Sequence, residues 1–452
     1  MKSILSLLLI VSFFILQLTN DPYVHFIVDV YIFLYVITSL PYIKGTTAKI
    51  TIGLLGMTIL LLIGKKDFFT ILMEGASTNL SIVCIFLLTP LLGIPVKAGD
   101  YLKTLDILLS KLKNNVYLIY AIFLFLTHIF SVILNIGSII INLHLMNSTK
   151  IQSKRLKASI LNRGYTTTTI WSPYLGIMAL VVSQLKIDWS TLAFYTLGYA
   201  AISLVVAFLV DLKLMKLERE RIMVIKTPET CSEEPIKGIH VVYKMLELFL
   251  LLSLSMGLVL LVEKYTSLSM VLSISLVAIL FPIVWCTVRG CLVNYKKEFL
   301  AHATKTVPNM QSEFTMFLVA GMFSYVFVNS TVSGKFIDVL NVLFGSSSLV
   351  MSIVLALIII LTGIIGLHPA VMLTIFVTAL KPELIGLTPI YYGALLLGSV
   401  GIANTISSGT AVNNLLANEF KLNLFTVSYR WNRLYALISF IILLLYLQWF
   451  VI

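Results

Sequence analysis

Apolar runs and short polar loops alternate along the whole chain. A run of about 20 apolar residues is enough for a helix to cross a bilayer. Runs approaching that length lie at about 4–18, 24–43, 50–63, 79–96, 164–183, 189–210, 242–262, 267–287, 313–331, 389–418 and 430–451, which predicts eleven crossing helices. Two more apolar segments, 117–146 and 346–380, are too long for one ordinary crossing and too short for two. Each carries small, polar or helix-breaking residues well inside: Asn135 and Gly137 in the first, Gly363, Gly366, His368 and Pro369 in the second. Both read as re-entrant hairpins. The expected fold is all-α and integral to the membrane.

Composition agrees, with 59% hydrophobic and 12% charged residues, about half the charged share of a soluble domain. Cys84, Cys231, Cys286 and Cys291 show neither C-x-x-C spacing nor a nearby histidine, so they read as apolar filling, with no metal site or cofactor. The net charge of +12 is spread over short loops. That pattern sets membrane orientation and argues against nucleic-acid binding. Met1-Lys2 and the run to Leu18 resemble a signal peptide without a cleavage site, and are expected to remain as the first helix.

Charge decides the topology. With the N-terminus cytoplasmic and both hairpins returning to their own side, the cytoplasmic loops sum to +15 and the opposite loops to −1. Making either hairpin a single crossing puts basic loops on both faces, against the positive-inside rule. The expected location is a cell membrane, crossed many times and in contact with lipid.

An internal repeat supports the same layout. A shift of 235 lays Ala98–Lys111 on Ser333–Ser346 and Ser183–Phe194 on Asn418–Tyr429, with Lys186 meeting Lys421. The arm at about 98–113 is basic and its partner at about 332–345 neutral, so the repeats are expected to face opposite ways. Inverted repeats of this kind are a building plan of secondary transporters, with sites near the midplane. The domains expected are N-terminal scaffold helices (1–78), a first repeat (79–210), a cytoplasmic loop with linking helices (211–312) and a second repeat (313–452).

The same shift pairs two polar interruptions, "GYTTTTIWSPY" (164–174) and "NTISSGTAVNN" (404–414). Broken backbone at membrane depth is tolerated where protein or a watery cavity surrounds it. Half-helix N-termini attract anions, and freed carbonyls and hydroxyls can ligate sodium. The expected site joins both hairpin turns and both breaks: Asn135, Gly137, Ser138, Thr167, Thr168, Thr169, Ser172, His368, Asn404, Thr405, Ser407, Ser408, Thr410 and Asn413, with Ser407 and Thr410 as candidate sodium ligands.

Two repeats, each with an arm, a re-entrant hairpin and an interrupted helix, resemble the ion transporter superfamily, above all its divalent anion/sodium symporter branch. That branch carries Ser-Asn-Thr at each hairpin tip. Here the corresponding places read "LNIGS" (134–138) and "GLHPA" (366–370). The resemblance implies an elevator-type carrier, in which the hairpins and broken helices move against a fixed scaffold. A second copy of the chain is a candidate partner.

Other polar residues have plainer readings beside the functional ones. Thr166–Thr169 can bond their own backbone or a neighbouring helix. His128 reads as a packed histidine, while His368 could meet a bound anion. Asp29 reads as a scaffold stabiliser, Lys244 and Glu247 as a local pair, and 211–237 as a solvated loop. No cluster of carboxylates, histidines or arginines suggests an enzyme. The expected function is secondary transport of a small organic anion with sodium or protons. An ion antiporter, an oxyanion exporter or a non-transport accessory protein are the alternatives. The lack of an acid in either hairpin or break favours anion symport over cation exchange.

Overall fold

The computed structural model describes residues 2–19, 21–99, 101, 104–105, 115–224, 238–266, 268–345 and 347–451. Most of the first arm (98–113), part of the 211–237 segment and Cys231 therefore lie outside the described residues. Within them every regular element is helical. Ten helices are long and apolar enough to cross a membrane. Four shorter apolar ones accompany them, at Ile4–Leu18, Thr47–Leu62, Gly176–Leu185 and Pro369–Ala379.

The described chain begins with α1 (Lys2–Leu18), α2 (Pro22–Ser39), α3 (Gly45–Leu62) and α4 (Phe68–Glu74), followed by α5 (Leu80–Leu88) and α6 (Ile94–Ala98). A helical hairpin follows: α7 (Val116–Leu134) turns through Asn135 and Ile136 into α8 (Gly137–Asn147). The crossing at 164–183, expected to be interrupted, is broken, and its first half starts earlier than expected. It is α9 (Lys154–Thr168), capped at its start by Ser153 Oγ, then a break, then α10 (Gly176–Leu185). Pro173 cannot donate a helical hydrogen bond, which fits the chain leaving the helix there. Then come α11 (Trp189–Val210), α12 (Leu212–Val224), α13 (Gly238–Tyr265), α14 (Met270–Val288) and α15 (Leu292–Ala301). A π-helical turn, His302–Thr306, leads towards α16 (Gln311–Val328) and α17 (Thr331–Phe344). The second hairpin is α18 (Ser348–Ile365) turning into α19 (Pro369–Ala379). The second broken helix is α20 (Pro389–Ile406) and α21 (Ala411–Phe420), and α22 (Trp431–Phe450) ends the fold.

Helix boundaries repeat at the same shift of 235. Lys154 and Pro389 open α9 and α20, Gly176 and Ala411 open α10 and α21, and Leu185 and Phe420 close them. Lys186 and Lys421 then take left-handed backbone, φ 51° and 53°. The paired pieces run antiparallel. Asn162 bonds Asn413 and Thr405, Thr166 bonds Thr405, and Thr169 bonds Asn404, so partner numbers fall as chain number rises. Thr169 and Asn404, which are themselves 235 apart, meet at 3.3 Å.

Helix ends are tied to one another. Lys97 pairs with Glu298, Lys154 Nζ donates to the Phe420 carbonyl, and Lys244 Nζ to that of Gly99. Lys65 reaches the Asn329 carbonyl and Tyr325 donates to Glu74. Lys244 and Glu247 pair at 3.8 Å, and Glu247 also holds Arg289. Asp29 is buried on α2.

Two charges counted as loop residues are core residues instead. Arg163 and Asp211 are 0% and 1% exposed and pair at 2.9 Å. Arg163 Nε donates to Asn432 Oδ1, its guanidinium lies 4.7 Å from the Tyr435 ring centre, and Tyr120 donates to Asp211. The segment after Asp211 is not a solvated loop as far as Val224. It is α12, whose buried Glu218 accepts from the amides of Gln152 and Ser153 ahead of α9.

Candidate functional site

A cavity of about 590 Å³ touches both hairpin turns and both helix breaks. Of the residues expected from sequence, Asn135, Gly137, Thr169, His368, Asn404 and Thr410 line it. Four helix N-termini reach its wall: Gly137 opens α8, Leu175 precedes α10, His368 caps α19, and Thr410 precedes α21.

The first hairpin turn is held tightly. Asn135 adopts φ 49°, unusual outside glycine, and its Oδ1 accepts from Tyr165 at 2.7 Å. Ser138 does not line the cavity; its Oγ bonds the Asn135 carbonyl and Ser131 Oγ. At the second turn, His368 Nδ1 accepts from the Ala370 amide at 3.2 Å. A ring nitrogen that accepts carries no proton, so in the neutral ring the proton sits on Nε2. The ring meets Phe317 edge-on at 5.4 Å, and Phe317 stacks on Phe86.

The threonine run divides by helical phase. Thr166 and Thr169, three residues apart on one face, meet the second broken helix and line the cavity. Thr167 and Thr168 turn away towards His128 and bond the carbonyls of Arg163 and Gly164. His128 Nε2 accepts from the Trp171 indole at 3.1 Å, leaving Nδ1 to serve Thr167 at 2.9 Å. This histidine is packed and satisfied. Ser172 is buried, with no hydrogen-bond partner for its Oγ.

The second break is largely satisfied from within. Asn413 Nδ2 lies within 3.3 Å of the carbonyl oxygens of Asn404, Thr405 and Ser407 and within 3.1 Å of Thr410 Oγ1. Asn162 bonds Asn413 Oδ1 at 2.7 Å. Ser407 Oγ accepts from the Gly409 amide and approaches the Leu367 carbonyl, while Thr410 donates to Ser407. Thr405 donates to Gly401, and the carbonyl of partly exposed Ser408 takes Asn414 Nδ2. Asn404 lines the cavity, and its Oδ1 is buried without a partner.

One wall comes from residues that sequence reasoning did not select. Lys97, Glu298, His302, Lys305 and Glu313 also line the cavity. Lys97 and Lys305 are exposed and mark its mouth.

No protein-family model and no curated sequence matches the chain. Its fold is similar to the Alcanivorax borkumensis YdaH transporter, described as having an unusual topology. The TM-score is 0.60 at 14% identity, over 88% of this chain and 98% of that one. Neisseria gonorrhoeae MtrF, described as illuminating a class of antimetabolite efflux pumps, matches at TM-score 0.49 and 16% identity. That match covers 98% of this chain and 97% of MtrF. The first likeness shows a shared all-helical fold, and the ten apolar helices among the described residues make the chain a multi-pass membrane protein.

Proposed function

We propose that the chain is a secondary active carrier of a small organic anion, driven by sodium or protons. The observation behind this reading is the convergence of four helix N-termini on one cavity. Each such end carries a partial positive charge, so an anion fits where they meet, although at α19 the Ala370 amide is already held by His368 Nδ1. The His368 Nε2 proton adds a donor, and the exposed lysines at the mouth raise the local concentration of anions. Sodium, where it couples, binds at the helix breaks beside Ser407 and Thr410.

The antiparallel pairing of equivalent helices supports an inverted-topology repeat, with α7/α8 and α18/α19 as re-entrant hairpins. The N-terminus and the cavity mouth lie on the cytoplasmic side, where the positive-inside rule puts Lys97 and Lys305. Hairpins and broken helices then move as an elevator against the scaffold, in the manner of the divalent anion/sodium symporters, within a homodimer. The test is uptake of labelled mono- and dicarboxylates into proteoliposomes, with and without sodium and pH gradients. Protein-dependent uptake of at least one anion is expected, and uptake of none contradicts the reading.

A further inference from the structure

Glu313 stands apart from every group used so far. It belongs to neither hairpin nor break, yet it lines the cavity on the same face of α16 as Phe317, one turn further along. Phe317 touches the His368 ring, so Glu313 lies about one turn, or ~5 Å along the helix, from the second hairpin turn. Its Oε2 is buried without a hydrogen-bond partner. Among the described residues no lysine, arginine or histidine forms an ion pair with it.

The surrounding charges are otherwise engaged. From the cavity walls, Lys97 is paired with Glu298, His302 Nε2 bonds the Leu87 carbonyl at 2.8 Å, and Lys305 is exposed at the mouth. Burial pushes the His302 pKa below the ordinary histidine value, so it adds little positive charge. His368 Nδ1 serves its cap, and Tyr165 donates to Asn135. Among the helices packed on α16, α19 carries no charged residue and α5 only Cys84. On α3, Lys49 is exposed. On α4, Glu74 binds Tyr325, twelve residues along α16, and Asp67 precedes that helix. On α2, Asp29 neighbours Glu74 and His25 bonds the Thr19 carbonyl. On α17, Lys335 and Asp338 flank Phe336, which meets Phe327 near the far end of α16.

We propose that Glu313 is the proton-binding group of the cavity, and that it takes up its proton together with the anionic solute. This rests on the carrier reading above. Ionised, Glu313 would face the anion as a like charge. For charges about 8 Å apart at an effective dielectric constant of ~20, anion binding weakens roughly thirtyfold. Linkage is reciprocal, so a bound anion raises proton affinity at Glu313 by the same factor. Proton and anion then bind as a pair and cross in the same direction, which is symport. An unpaired buried acceptor is the feature expected of a group waiting for a proton.

The test uses native protein and Glu313→Gln in proteoliposomes, with labelled succinate and labelled benzenesulfonate, two anions that cross lipid poorly. An inside-alkaline gradient is expected to drive accumulation in the native protein. The expected extent is about tenfold per pH unit for one proton per singly charged anion. Glu313→Gln is expected to lose that accumulation while still exchanging labelled for unlabelled anion. Gradient-driven accumulation that survives in Glu313→Gln overturns the assignment. Exchange without any gradient response in the native protein overturns proton coupling and leaves the carrier standing. Failure of the native protein to move either probe, by gradient or by exchange, overturns the assignment together with the carrier reading for these anions. If Glu313→Gln does not fold, Glu313→Met is judged by the same criteria. Glu313→Asp keeps a carboxyl and is expected to retain coupling; its loss with exchange intact also overturns the assignment.

Discussion

Removing one partner from the Arg163–Asp211 pair is expected to cost far more than removing both. The two side chains are 0% and 1% exposed and 2.9 Å apart. Arg163→Met leaves Asp211 with a single hydrogen bond in place of the ion pair, from Tyr120. Asp211→Leu leaves the guanidinium with Asn432 Oδ1, the Ala207 carbonyl and the Tyr435 ring. Breaking a buried pair from one side costs about 3–5 kcal/mol, whereas replacing both by apolar groups is close to neutral or stabilising. Arg163 Nη2 and Asp211 Oδ1 already lack hydrogen-bond partners, which adds to the benefit of removing both. The assay is thermal unfolding of the two single variants and the double variant in detergent, analysed as a double-mutant cycle. The double variant should melt above either single. Single variants within about 1 kcal/mol of native, with additive effects, would refute the reasoning, because the pair would then not be acting as a unit.

Asn413→Ala strips the amide that serves three carbonyls and Thr410 in the second break. It should destabilise by about 1–3 kcal/mol in the same melting assay. Gly409→Ala drives a Cβ into the Gly366 carbonyl oxygen. It should part the second break from the second hairpin turn and lower uptake more than expression, measured on the same membranes. Single cysteines at Ser148 and Gln152 should label from the cytoplasm in whole cells; labelling from outside would mean that the first hairpin segment crosses.

The broken helices were legible because local signals set their boundaries. A polar run with Pro173 stops one helix, and a polar run with Gly409 as its breaker stops the other 235 residues later. The hairpin turns were legible at Asn135 and at Gly366–Pro369, where backbone with positive φ needs Asn or Gly. Which threonines face the cavity follows from helical phase, though nothing in a run of four says which pair is which. Arg163 and Asp211 look solvated in sequence because each stands at the edge of an apolar stretch; only packing shows them buried against each other. The wall holding Glu313 and Lys305 was out of reach for another reason. Glu298, His302, Lys305 and Glu313 lie more than 90 positions from either break and Lys97 more than 70, and no periodicity ties such positions to a distant break. Neither hairpin and neither break holds an acid, whereas α15 and α16 bring Glu298 and Glu313 to the cavity from outside them.

The central claim is that the cavity between the hairpin turns and the helix breaks is where the solute binds. Gly137 tests it most directly, since it lines the cavity and an added Cβ there meets open space. In a background lacking the native cysteines, Gly137→Cys should react with a membrane-impermeant thiol reagent. The modification should block uptake of the transported anion, and that anion should slow the reaction. Full modification with unchanged uptake and no protection by solute would contradict the account.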